Sequence, residues 1–167
     1  MIKPFIIAAI STDGFIGPMH HTSSLTWTSG ADKKFFSERT KQAGVCVMGH
    51  TTFETIGKAL PDRKTIVYSD TPIDVPDITT TAATPQDLCA QLEKEGYEEV
   101  AVCGGSSIYT QFMQAQLVQK IYLTVEPIIF GNGTPLFTEE FMTHLNLEST
   151  TPLDGNSLLL EYSVITP

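Results

Sequence analysis

The feature that most constrains this chain is its rhythm. Short, nearly uninterrupted runs of apolar and β-branched residues alternate with helix-patterned segments as far as residue 125. The runs are residues 5–11, 45–48, 65–68, 99–103 and 120–125. A strand that is apolar at almost every position is buried on both faces, as in parallel sheets covered by helices on both sides. Strands alternating with helices therefore predict an α/β sheet, parallel in large part. Beyond 125 the rhythm changes. Two further strands, 145–151 and 157–165, flank Asp154-Gly155-Asn156 and read as a terminal hairpin.

The helices carry their own punctuation. The segment 29–42 opens on a Ser cap, holds Asp32 in its first turn and stops before Gly44. A short helix over 52–56 ends at Gly57. Thr84-Pro85-Gln86-Asp87 supplies a cap, a proline at the first helical position and an acid, for a helix that stops at Gly96. Residues 105–115 form a helix directly after a strand. We found no repeat, linker or low-complexity tract, and 167 residues suit one domain spanning 1–167.

Charge and cysteine usage narrow the function classes. Nineteen acids against ten bases give a net charge of −9, which argues against a nucleic-acid backbone as partner. An anionic small molecule needs only a local site. Cys46, Cys89 and Cys103 are an odd set without CxxC, as expected of free thiols in a reducing compartment. The first apolar run is too short to cross a bilayer and lacks the basic n-region of a signal segment. The expectation is a cytoplasmic protein with no membrane partner.

Two segments are built to meet phosphate. Val100 to Tyr109 reads strand, Gly104-Gly105 turn, then helix start with Ser106 and Ser107. Free N–H groups at a helix N-terminus attract anions, and glycine lets a ligand approach the backbone. The same sequence also serves as a tight turn with no ligand. Val47 to Gly57 repeats the scheme with Gly49-His50-Thr51-Thr52. Two such turns at strand C-terminal ends suit an extended anionic ligand across an open sheet. Asp32, flanked by Phe35 and Phe36, is either a pocket-edge carboxylate open to pKa tuning or a plain helix N-terminal acid. Arg63 either forks a carboxylate or is a solvated cation. The polar loop 18–26, with His20 and His21, reads as a lid, and Trp27 as a core residue at the helix mouth. His20, His21, His50 and His144 show no metal-ligand spacing, so no metal is expected.

Taken in order, these segments resemble dihydrofolate reductase. The block from Val47 to Lys64 is the most specific match. Ile7-Ala8-Ala9, Asp13 to Gly17, Trp27 with Asp32, Cys103 to Tyr109, and Tyr122-Leu123-Thr124 add to it. The resemblance implies a doubly wound, mainly parallel eight-stranded sheet with flanking helices and a C-terminal antiparallel hairpin. It also implies NADPH and dihydrofolate in one cleft. Asp32 would then bind the pterin and support proton delivery to N5, with Thr124 bonded to it and Trp27 holding a water. Phe36, Ile56 and Leu60 would wall the benzoyl group, and Arg63 would take the glutamate carboxylate. Ile7, Ala8 and Cys103 would flank the pterin. On the cofactor side, Gly104, Gly105, Ser106, Ser107 and Thr52 would meet the pyrophosphate, and His50 and Ser69 the adenosine phosphate. Ala9, Ile16 and Gly17 would border the nicotinamide. Gly49, Thr51, Ile108 and Tyr109 complete that set.

The departures point elsewhere. His50 stands where the family usually has Arg, and a histidine is charged only near or below about pH 6.5. Asp70 adds an acid beside Ser69, and Lys33 replaces an apolar contact. Residues 126–137 look instead like the related reductase domain of riboflavin biosynthesis, as does Trp27-Thr28-Ser29-Gly30. Three functions follow: a dihydrofolate reductase, a pyrimidinone reductase acting on a phosphorylated aminopyrimidine, and a non-catalytic NADP-binding module. Either a monomer or a homodimer is compatible with the sequence.

Overall fold

A computed structural model describes residues 1–20 and 23–166. The expectations on His21 lie outside the described residues. The chain begins with β1 (Lys3–Ser11) and β2 (Phe15–Pro18), and a single 3-10 turn at Ser24–Thr26 leads to α1 (Gly30–Ala43). Next come β3 (Val45–Gly49), α2 (His50–Ile56), β4 (Lys64–Tyr68) and β5 (Ile78–Thr81). They are followed by α3 (Pro85–Lys94), β6 (Glu99–Val102), α4 (Ser106–Gln114) and β7 (Lys120–Glu126). The last elements are β8 (Gly133–Pro135), β9 (Leu145–Pro152) and β10 (Leu158–Val164).

Eight strands form one sheet in the order β5-β4-β3-β6-β1-β7-β10-β9. The first six run parallel, β10 is antiparallel to both β7 and β9, and β2 pairs with β8 in a separate two-stranded ribbon. The expected mainly parallel sheet and terminal hairpin are present. Three strands escaped the sequence reading: β2, β5 and β8. The residues of β5, Ile78-Thr79-Thr80-Thr81, are nowhere buried, so pairing with β4 makes the strand rather than an apolar pattern.

Strand alternation sorts the core onto two faces. On one face Ile6, Val45, Val47, Val100 and Val102 pack under Leu88 and Leu92 of α3 and Ile108 and Phe112 of α4. On the other, Phe5, Ile7, Cys46, Met48 and Ala101 pack under Phe35 and Phe36 of α1 and Phe53 of α2. Arg39 clamps α1 to the sheet. Its guanidinium lies 4.0 Å above the Phe5 ring and forks Glu99 on β6 with bonds of 2.9 and 2.8 Å. A planar fork that also stacks is something lysine cannot provide. Asp32, seven residues or two turns earlier, shares this sheet-facing side of α1.

Candidate active site

The C-terminal ends of β1, β3 and β6 open into a cleft of about 790 Å³. Its floor and walls follow from the fold. Ile7, Ala8 and Ala9 come from β1, and Ile16 and Gly17 from β2. Asp32 and Phe36 come from α1, with Ile56, Leu60 and Arg63 beyond. Gly49, His50, Thr51 and Thr52 line it from the β3–α2 turn. The run Cys103 to Tyr109 lines it from the β6–α4 turn.

Three expected residues lie elsewhere. Thr124 is buried on β7 beneath Asp32 rather than in the wall. Ser69 stands outside the lining, its hydroxyl donating to the Thr71 carbonyl at 2.7 Å and lying 3.5 Å from His50 Nδ1. Trp27 turns away from the cleft. It meets Phe130 edge-on at 5.2 Å and borders a second cavity with Glu126 and Asp154. The reason lies in Asp13, whose carboxylate accepts the N–H groups of Phe130 and Gly131 at 3.2 and 2.8 Å. That loop is thereby fixed where it offers Trp27 an aromatic partner outside the cleft. Its indole N–H is buried without a protein partner among the described residues.

Residues not singled out also line the cleft. Ser23, Ser24 and Leu25 form part of the expected lid, and Thr134, Pro135 and Thr138 come from the segment around β8. Lys33 ties α1 to the lid by donating to the Leu25 carbonyl at 2.8 Å. Ser106 donates its hydroxyl to the Pro135 carbonyl. A pairing of β2 with β8 cannot be read from either short sequence alone, which is why this wall was missed.

The two glycine turns touch. Gly49 N–H donates to the Gly104 carbonyl at 2.7 Å. A methyl group on Gly49 would stand 3.1 Å from Ile108, and one on Gly105 3.3 Å from the Thr52 hydroxyl. Gly104 has φ +112° and faces the Tyr109 hydroxyl. That hydroxyl donates to the Ile7 carbonyl at 2.9 Å, locking the turn onto β1. Helix α4 starts at Gly105 without a side-chain cap, so its first N–H groups are free to meet an anion. The packed glycines and uncapped helix start fit the pyrophosphate of a dinucleotide. His50 Nε2 lies 3.5 Å from Glu54, so the base at the outer turn already has an acidic neighbour.

Asp32 differs from an ordinary surface acid. Burial pushes its carboxyl above the usual range, the Thr124 hydroxyl opposes the rise, Glu126 adds to it and Lys33 counters. Its own N–H is capped by Ser29 Oγ at 3.1 Å. The half-buried Cys103 thiol, set against Cys46 and desolvated, is held well above its usual range, so it faces the cleft as a neutral wall.

The dihydrofolate reductase family model matches residues 3–137. The chain belongs to the dihydrofolate reductase family. Among curated relatives it is 25% identical to the uncharacterized protein YwjB of Bacillus subtilis, over 96% of this chain and 97% of that one. Among solved structures it matches the dihydrofolate reductase of Enterococcus faecalis complexed with NADP(H). The identity is 25% and the TM-score 0.79, over 97% of this chain and 96% of that one. It also shares the fold of a pyrimidine reductase-like protein of Corynebacterium diphtheriae. There the identity is 17% and the TM-score 0.83, over 99% of this chain and 93% of that one. Members of this family are NADP-dependent reductases. No helix among the described residues is long and apolar enough to cross a membrane.

Proposed function

We propose that the protein reduces 7,8-dihydrofolate to 5,6,7,8-tetrahydrofolate with NADPH. The observation that carries this reading is one cleft with a part-buried acid and a cation laid out along α1. Asp32 stands in the first turn, and Arg63 reaches the carbonyl of Ser37 and the hydroxyl of Thr40. At 1.5 Å per residue these groups are separated by roughly 8–12 Å along the helix. A substrate with a pterin at one end and a carboxylate at the other suits that spacing.

Gly104, Gly105 and the first N–H groups of α4 would hold the pyrophosphate. Bound there, NADPH supplies the hydride. The remaining work falls to the protein. Ile7 and Cys103 present neutral, apolar surface at the inner end and exclude water from the reacting ring. Asp32 binds the amino group and N3 of the pterin and raises the proton supply at N5. An acid pushed up by burial keeps a larger protonated fraction near neutral pH, as an acid–base catalyst needs. Phe36, Ile56 and Leu60 clasp the middle of the substrate.

The test is purified protein with NADPH and dihydrofolate, followed by absorbance loss. No turnover at millimolar substrate sinks the reading. The second reading is a pyrimidinone reductase acting on a phosphorylated aminopyrimidine. It is favoured by Thr134 and Pro135, which bring the segment resembling that reductase into the cleft wall. Turnover of that substrate alone decides for it.

A further inference from the structure

Glu126 is a charged side chain that the proposed reaction leaves unused, and it is only 2% exposed. It closes β7 on the same face as Thr124, two residues on. Its Oε1 accepts the N–H and the hydroxyl of Ser29, both at 2.9 Å. Its Oε2 accepts the Ser157 hydroxyl at 2.6 Å, from the turn before β10. Ser29 is the N-cap of α1, and its oxygen in turn accepts the Asp32 N–H at 3.1 Å. A continuous chain of hydrogen bonds therefore runs from Ser157 through Glu126 and Ser29 to Asp32. Burying a carboxylate is costly even when it is hydrogen-bonded, and a neutral glutamine oxygen could accept bonds here without carrying a charge. A carboxylate here calls for a reason beyond holding the strands together.

We propose that Glu126 is a positioning residue for Asp32, fixing the helix start that carries it and setting a second negative charge against it. Three donated hydrogen bonds suit a carboxylate at Glu126, and a negative charge there opposes ionisation of Asp32. The charged and titratable groups around Asp32 are few. Lys33 on its own helix opposes the effect, Glu126 on β7 produces it, and Tyr109 on α4 has its hydroxyl committed to the Ile7 carbonyl. This inference rests on the reading of Asp32 as the acid of the reaction.

The experiment is a carbon-13 carboxyl titration of the intact protein, with the Asp32 signal assigned through its loss in Asp32→Asn. In Glu126→Gln the Asp32 midpoint falls by about one pH unit. The rate of dihydrofolate reduction above that midpoint then drops about tenfold, because the protonated fraction does. A midpoint that stays or rises in the folded variant overturns the proposal. Should Glu126→Gln fail to fold by circular dichroism, Glu126→Asp is titrated instead: its shorter side chain draws the charge back, the Asp32 midpoint falls by a smaller step, and a midpoint that stays or rises overturns the proposal. A midpoint that falls in a protein inert toward dihydrofolate supports this inference and refutes the proposed function. Turnover with an unmoved midpoint does the reverse.

Discussion

Replacing Arg63 with leucine removes the cation from the outer part of the cleft, and the structure sets the size of the effect. The guanidinium is partly committed: Nε donates to the Pro61 carbonyl at 2.7 Å, and Nη1 to Thr40 Oγ1 at 2.5 Å and the Ser37 carbonyl at 3.4 Å. Nη2 finds no protein acceptor among the described residues, so two N–H groups remain for a ligand. A hydrogen bond to a charged group contributes about 1.5 kcal/mol or more. Losing one or two such bonds removes about 1.5–3 kcal/mol, or roughly a tenfold to 150-fold rise in KM for dihydrofolate. The assay is steady-state kinetics on dihydrofolate and on a dihydropterin without the glutamate tail. The loss falls on the carboxylate-bearing substrate, with kcat within about twofold. A rise below about threefold, or an equal loss on both substrates, refutes the reasoning. The variant also loses about 1 kcal/mol of stability, because buried Thr40 loses its donor, and urea denaturation reads this separately.

Asp32→Asn lowers turnover at neutral pH about 100-fold or more, read in the same absorbance assay. Its stability moves the other way. Burial holds the Asp32 carboxyl above its unfolded value of 3.8, so wild type is favoured below that pH and loses stability as pH rises through the folded value. Urea denaturation at pH 7 therefore finds the asparagine variant gaining on wild type, and the gain shrinks toward pH 4. Gly104→Ala places a methyl group 3.1 Å from the Tyr109 hydroxyl at φ +112°. It costs about 1–3 kcal/mol in urea melts and weakens NADPH binding by calorimetry. Phe112→Ala opens the core at a fully buried ring and costs about 3–5 kcal/mol without changing KM.

What the sequence shows and hides follows physical lines. Strands β1, β3, β6 and β7 are legible because burial on both faces demands apolar residues at nearly every position. The starts of α1 and α3 are legible because Ser29 and Thr84 cap them locally. Strand β5 is hidden because its polar residues are held only by a neighbour. Ribbon β2–β8 joins segments more than a hundred residues apart, which no local pattern encodes. Within the cleft, the glycine turns announce themselves through close backbone approach. The packing of Trp27 is hidden because its partner, Phe130, is distant in sequence. Glu126 is legible in the strand's alternation: Tyr122, Thr124 and Glu126 share one face, so the face that supports Asp32 ends in a second acid.

Strand β1 also shapes how the chain is made. It is synthesised before both of its neighbours, lying in the sheet between β6 and β7 and pairing with residues 99–102 and 120–126. At a translation rate of about 5–20 residues per second, a ribosome needs about 6–25 seconds to produce those neighbours. Until residue 102 is made, the apolar strand core, Phe5 to Ile10, has both edges unsatisfied, and the β7 edge stays open until residue 126. Nascent-chain protection by a chaperone would act on this window, and slowing translation of the middle of the gene would lengthen it. Solubility in expression should therefore respond to elongation rate before residue 126 and scarcely at all after it.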